Sequence, residues 1–182
     1  MASRAAVQRT GWLAALIILA AGCYPALDWR EVSAADGGFA ALLPGKPRRE
    51  TREVRIGTHV FQMTMLSVRV DPFLFGAGYA RLPVGLEGEE RAALLNHARD
   101  ALLMNFGPTL RHDPGEGRLG LLDGHPCIAL NARPTVDGRA LELNARLCVT
   151  DEHLYQLVSL APRDRAADAD ASLFLGSLKL LR

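Results

Sequence analysis

The chain has 182 residues, and its 21 Lys and Arg stand against 20 Asp and Glu, for a formal net charge of +1. That balance leaves no electrostatic case for nucleic acid and no polybasic tract to hold an anionic membrane. The length suits a domain with a proper hydrophobic core, and 49% of the residues are hydrophobic.

Met1–Gly11 carries Arg4 and Arg9 and no acid, and is followed by the apolar run Trp12–Ala21 and by Gly22-Cys23. A charged start, a short apolar stretch and small residues before a cut are the three parts of a secretory signal. The apolar run is about half the ~20 residues needed to span a bilayer. A cysteine directly after Ala-Ala-Gly resembles a lipobox, in which the thiol is acylated and becomes the new N-terminus. Ala20 departs from that pattern, because leucine is usual there. Residues 1–22 are therefore expected to be a lipoprotein signal peptide, with ordinary secretion as the alternative. Cys23 would carry the lipid, residues 23–28 would form a tether, and residues 29–182 a single domain. Tyr24, standing where an aspartate would retain the protein at the inner membrane, favours the outer membrane and a periplasmic face by similarity to proteobacterial lipoproteins. The expected mature chain has 160 residues, 19 of them basic and 20 acidic.

Beyond the tether, Trp29–Ser33 reads as a strand, Asp36-Gly37-Gly38 as a turn and Phe39–Leu43 as a second strand, halted by Pro44-Gly45-Lys46-Pro47. Arg48–Ile56 alternates charged and β-favouring residues, as an edge strand does. Thr58–Val70 and Phe73–Leu82 are longer strands separated by Asp71-Pro72. Over residues 88–106 the period changes: Leu94, Leu95, Ala98, Ala101, Leu102 and Phe106 recur at three- and four-residue spacing. That spacing predicts an amphipathic helix, opened by acidic residues and stopped at Gly107-Pro108. Strands return from Thr109 to Leu160, then Arg163–Leu175 reads as a second helix and Leu178–Leu181 as a closing strand. Helices set among antiparallel hairpins indicate an α+β fold.

Asp137-Gly138 is a strong two-residue hairpin turn, because both residues tolerate positive φ. Strand partners around it have positions summing to 275, as Cys127 and Cys148 do. They fall opposite each other at a non-hydrogen-bonded site, where Cα atoms approach to about 4.5 Å, within disulfide range. The same register sets Arg133 against Glu142 and Asn131 against Asn144. It gathers Ile128, Leu130 and Ala132 with Leu143, Ala145 and Leu147 on the opposite face. Two unpaired cysteines, or a bulge at Pro134 that shifts the register, are the alternatives.

Catalytic signals are weak. No Gly-x-Ser-x-Gly elbow occurs, and Gly45-Lys46-Pro47 lacks the spacing and the hydroxyl of a phosphate loop. His125, Cys127, Cys148 and His153 are the one cluster with metal-ligand chemistry, yet the cysteines are better explained by each other, so no metal and no cofactor is expected. His59 and His97 read as surface residues, and His112-Asp113 as a capped turn.

Asp36–Pro47 (Asp-Gly-Gly-Phe-Ala-Ala-Leu-Leu-Pro-Gly-Lys-Pro) resembles the opening of small bacterial lipoproteins of the PsbP-like type. Tyr79–Pro83, the 88–106 helix, Leu122–Pro126 leading into a hairpin, and Leu154–Leu157 ahead of a final helix follow the same layout. The resemblance implies an antiparallel sheet flanked by helices on both faces, an α/β/α sandwich, and noncatalytic accessory subunits of membrane complexes. The resulting expectation is a lipid-anchored envelope protein that binds an unknown envelope partner. The alternative is a carrier of a small hydrophobic ligand, with Phe73, Phe75, Tyr79 and Phe106 around an apolar pocket, although such aromatics more often form plain core.

Overall fold

Alternating side chains, more than any long apolar run, dictate the architecture. The structure is a computed structural model that describes residues 27–107 and 118–181. The signal peptide, Cys23 and His112-Asp113 lie outside those residues. Strand β5 (Phe73–Arg81) shows the logic. Phe73, Phe75, Ala77 and Tyr79 enter one core, and Ala80 enters another on the opposite face.

The large antiparallel sheet runs in the order β3 (Arg48–Ile56), β4 (His59–Val70), β5, β10 (His153–Pro162), β9 (Arg139–Val149), β7 (His125–Ala132) and β6 (Arg118–Leu122). The short β8 (Thr135–Val136) extends the turn of the β7–β9 hairpin. A second sheet has the order β1 (Arg30–Ala34), β2 (Phe39–Leu43), β11 (Lys179–Leu180). Helix α1 (Gly88–Met104) lies on one face of the large sheet, where Leu94, Leu95, Ala98 and Leu102 meet Ile56, Met63, Leu147 and Leu154. Its first turn is acidic, which favours the positive end of a helix, and Arg91 pairs with Asp151 at the β9–β10 turn. Each leucine buried this fully contributes about 1.5–3 kcal/mol.

The opposite face corrects an expectation. A helix was expected there as the second outer layer, but the three-stranded sheet takes most of that place. Phe39 and Leu43 of β2 are buried against Phe75, Leu157 and Phe174. The predicted helix Arg163–Leu175 divides into a 3-10 stretch, Arg163–Ala169, and α2 (Ala171–Gly176), with Asp170 between them at φ 48°. The physical reason is composition. Arg163–Ala169 offers only small apolar side chains, too little surface to seat further helical turns, and helices this short depend on packing. Two glycines permit close packing, one between the sheets and one between neighbouring strands. A Cβ on Gly37 would sit 2.6 Å from the Tyr79 ring, and one on Gly78 would sit 2.1 Å from Met65 Sδ. Among the described residues no helix is long and apolar enough to cross a membrane.

Candidate functional site

The hairpin register holds throughout. Cys127 pairs with Cys148, Ile128 with Leu147 and Val136 with Arg139, with no shift at Pro134. The two cysteines form a disulfide with Cα atoms 4.1 Å apart. Asn131 Nδ2 donates to Asn144 Oδ1 at 2.8 Å, and Glu142 accepts from both asparagines rather than from Arg133. With both sulfurs committed to each other, His125 and His153 share only the rim of a shallow cleft beside Asp151 and Glu152. Among the described residues no three His, Cys, Asp or Glu side chains converge as metal ligands would.

The four aromatics expected around one pocket do not meet. Phe73, Phe75 and Tyr79 alternate onto the small-sheet face of β5, whereas Phe106 follows α1 on the other face. Phe75 packs edge-on against Trp29 (5.2 Å between ring centres) and Phe174 (5.4 Å), and Phe39 packs against Tyr79 and Tyr155. This is filled core, held by ring geometry as well as by burial.

At one end of the molecule a polar network closes the space between the two sheets. Arg49 of β3 donates to Asp36 and, at 2.7 Å, to the Tyr79 hydroxyl, which itself donates to Asp36. The Tyr79 and Arg49 hydrogen bonds hold the Asp36 carboxyl below its usual range. Burial, and then the bond to Asp36, raises the Tyr79 phenol. Tyr155 donates to the Gly37 carbonyl at 2.9 Å, and burial pushes its hydroxyl up to about 12. The His153 ring lies edge-on to Tyr79 at 6.2 Å and tilted against Tyr155 at 5.7 Å, and burial lowers its pKa. Asp36 was legible only as a turn residue. Nothing in the order of the chain joins positions 36, 49 and 79.

The two edges of the large sheet differ. Six of the nine residues of β3 are charged, and most are exposed. On β6, Leu119 is 80% exposed and Leu121 70% exposed, and among the described residues the strand pairs with β7 alone. An unpaired edge with protruding leucines can accept another extended strand. Arg146, one strand further in than β7, donates to the Leu121 carbonyl at 3.5 Å and to the Leu175 carbonyl at 3.3 Å, steadying β6 and α2 together.

No family model and no curated relative matches the sequence. Solved structures do resemble the fold. The crystal structure of LpqN, involved in cell envelope biogenesis of Mycobacterium tuberculosis, superposes with a TM-score of 0.54 at 18% identity, covering 85% of this chain and 91% of that one. The solution structure of cyanobacterial PsbP (CyanoP) from Synechocystis sp. PCC 6803 gives 0.57 at 11% identity, covering 87% and 95%. The chain therefore has a PsbP-like fold, built from antiparallel sheets with few helices.

Proposed function

We propose that this chain is a lipid-anchored, noncatalytic accessory protein of the bacterial cell envelope, held through lipid on Cys23 and binding a partner protein. The observation that carries the reading is the likeness of nearly the whole fold to LpqN, a protein involved in cell envelope biogenesis. The lipobox-like segment ending at Cys23 supports the anchor, and with Tyr24 after the cysteine it supports the outer membrane. The β6 edge is the surface offered to the partner. An added strand would continue the β6 hydrogen-bond ladder, and Leu119 and Leu121 would supply apolar contact. The carrier alternative loses its aromatic pocket, because Phe73, Phe75 and Tyr79 are core on one face and Phe106 lies on the other.

The test is crosslinking and pull-down from intact cells, comparing the native chain with Cys23→Ser. The expected result is a discrete envelope protein captured by the native chain and lost from the variant. Capture of nothing by either form would overturn the accessory role. Equal capture by both would overturn the need for the anchor.

A further inference from the structure

The N-terminus enters the fold at the end opposite the Asp36–Arg49–Tyr79 network. Strand β1 runs alongside β5: Trp29 packs on Phe75 at its start, and Gly37, just past its end, meets Tyr79. Leu27, two residues before Trp29, belongs to the core cluster that contains Phe73. The chain therefore comes in beside the β4–β5 turn at Asp71-Pro72. Cys23 precedes Leu27 by four residues, which span at most about 14 Å even when fully extended. A lipid on Cys23 would hold this end, and not the opposite one, within reach of the bilayer surface.

That end carries a cleft of about 610 Å³ at the strand ends, lined by Arg69, Arg139 and Arg163 together with Pro72 and Leu141. Among the described residues no ion pair occupies these three guanidinium groups, although Arg163 also donates to the Arg133 carbonyl at 3.3 Å. Asp71 and Asp164 line the same cleft, and Asp137 lines the adjoining one, likewise without ion pairs among the described residues. Guanidinium groups are suited to phosphate through paired, charge-assisted hydrogen bonds, and carboxylates to a primary ammonium. Three cations and two anions around an apolar floor, with a third carboxylate in the adjoining cleft, match a headgroup that carries both charges.

The geometry points to this cleft as a docking surface for the phosphoethanolamine headgroups of the membrane that holds the anchor. This inference rests on the lipid-anchor reading of Cys23. It orients the domain with the β4–β5 turn toward the bilayer and His153 away from it, leaving the β6 edge open along its side. The arginines come from positions 69, 139 and 163, so no local run of basic residues announces the surface.

The test uses the mature lipidated protein reconstituted into vesicles of phosphatidylcholine alone or mixed equally with phosphatidylethanolamine. Amide hydrogen exchange over residues 69–74, 136–141 and 160–165 should slow by about fivefold or more in the mixed vesicles, and exchange around His153 should not change. The Arg69→Gln/Arg139→Gln/Arg163→Gln variant should lose that protection while keeping wild-type exchange in its core strands. Equal protection in both vesicles, protection that survives the triple substitution, or protection at the His153 end would each overturn the proposal. Intact mass separately reports whether Cys23 is acylated. If it is not, co-sedimentation of the Cys23→Ser form with the mixed vesicles decides the cleft on its own. Binding weakened about tenfold by the triple substitution would support it, and unchanged binding would overturn it.

Discussion

The two edges of the large sheet are secured by different means. Strand β3 is edged with charge, and its Arg49 reaches across the layers to Asp36 and Tyr79. Strand β6 has exposed leucines, and its support lies one strand inward, where the Cys127–Cys148 disulfide locks β7 to β9 and Arg146 holds the Leu121 carbonyl. Charge on an edge discourages pairing with other chains, and apolar side chains on an edge invite it. Among the described residues both are end strands, but the β3 edge is closed off by charge while the β6 edge is left open, with exposed leucines on a cross-linked support.

The largest expected effect breaks the open edge. Cys127→Ala/Cys148→Ala should cost about 2–4 kcal/mol in denaturant unfolding under oxidising conditions. Hydrogen exchange should quicken over residues 118–132 while β3 and β4 stay protected. Uniform quickening of both edges would show that the disulfide does not act locally.

The closed edge should give less. Tyr79→Phe keeps the ring in the core and removes the hydroxyl that ties Asp36 and Arg49 to β5, at a cost of about 1 kcal/mol. Exchange should then quicken at β3 and the Asp36-Gly37 turn first, with β6 unaltered.

A pH titration sharpens the same end of the molecule. His153 has its pKa lowered by burial, with Arg81 acting the same way and with Glu152 and Asp36 opposing. A group lowered on folding contributes stability that is present above its unfolded pKa of about 6.5 and lost as pH falls through the folded value. Asp36, also lowered, contributes above its ordinary value of 3.8, and that contribution disappears only in stronger acid. Unfolding at pH 7.5 and 5.5 should therefore show weaker stability at 5.5. His153→Gln should remove part of that difference, and an unchanged difference would refute the assignment.

The smallest effect on stability belongs to Leu119→Lys/Leu121→Lys. Both side chains are mostly exposed, so unfolding should shift by no more than about 0.5 kcal/mol. Partner capture should nonetheless be lost.

Where local chemistry decides structure, the sequence was a good guide. Phe39–Leu43 and Arg48–Ile56 have the expected bounds, α1 spans Gly88–Met104 within the predicted 88–106, and the Asp137-Gly138 turn sets the register that unites the cysteines. The second outer layer was not legible, because Arg163–Leu175 carries helical spacing but too little apolar surface to outcompete the β1–β2 hairpin for that face. The aromatic pocket failed for a related reason. Alternation sorts Phe73, Phe75 and Tyr79 to one side of β5, but only the topology decides which side α1 and Phe106 occupy. The arginine cleft and the Asp36–Arg49–Tyr79 network join positions far apart in the chain, and no local pattern encodes them.

The most direct measurement is site-specific photocrosslinking in intact cells, with the probe at position 121 on β6 or at position 53 on β3, in the native and Cys23→Ser backgrounds. The account predicts one identified envelope protein captured from position 121, lost in Cys23→Ser, and none captured from position 53. No capture from 121, or the same capture from both edges, would contradict it.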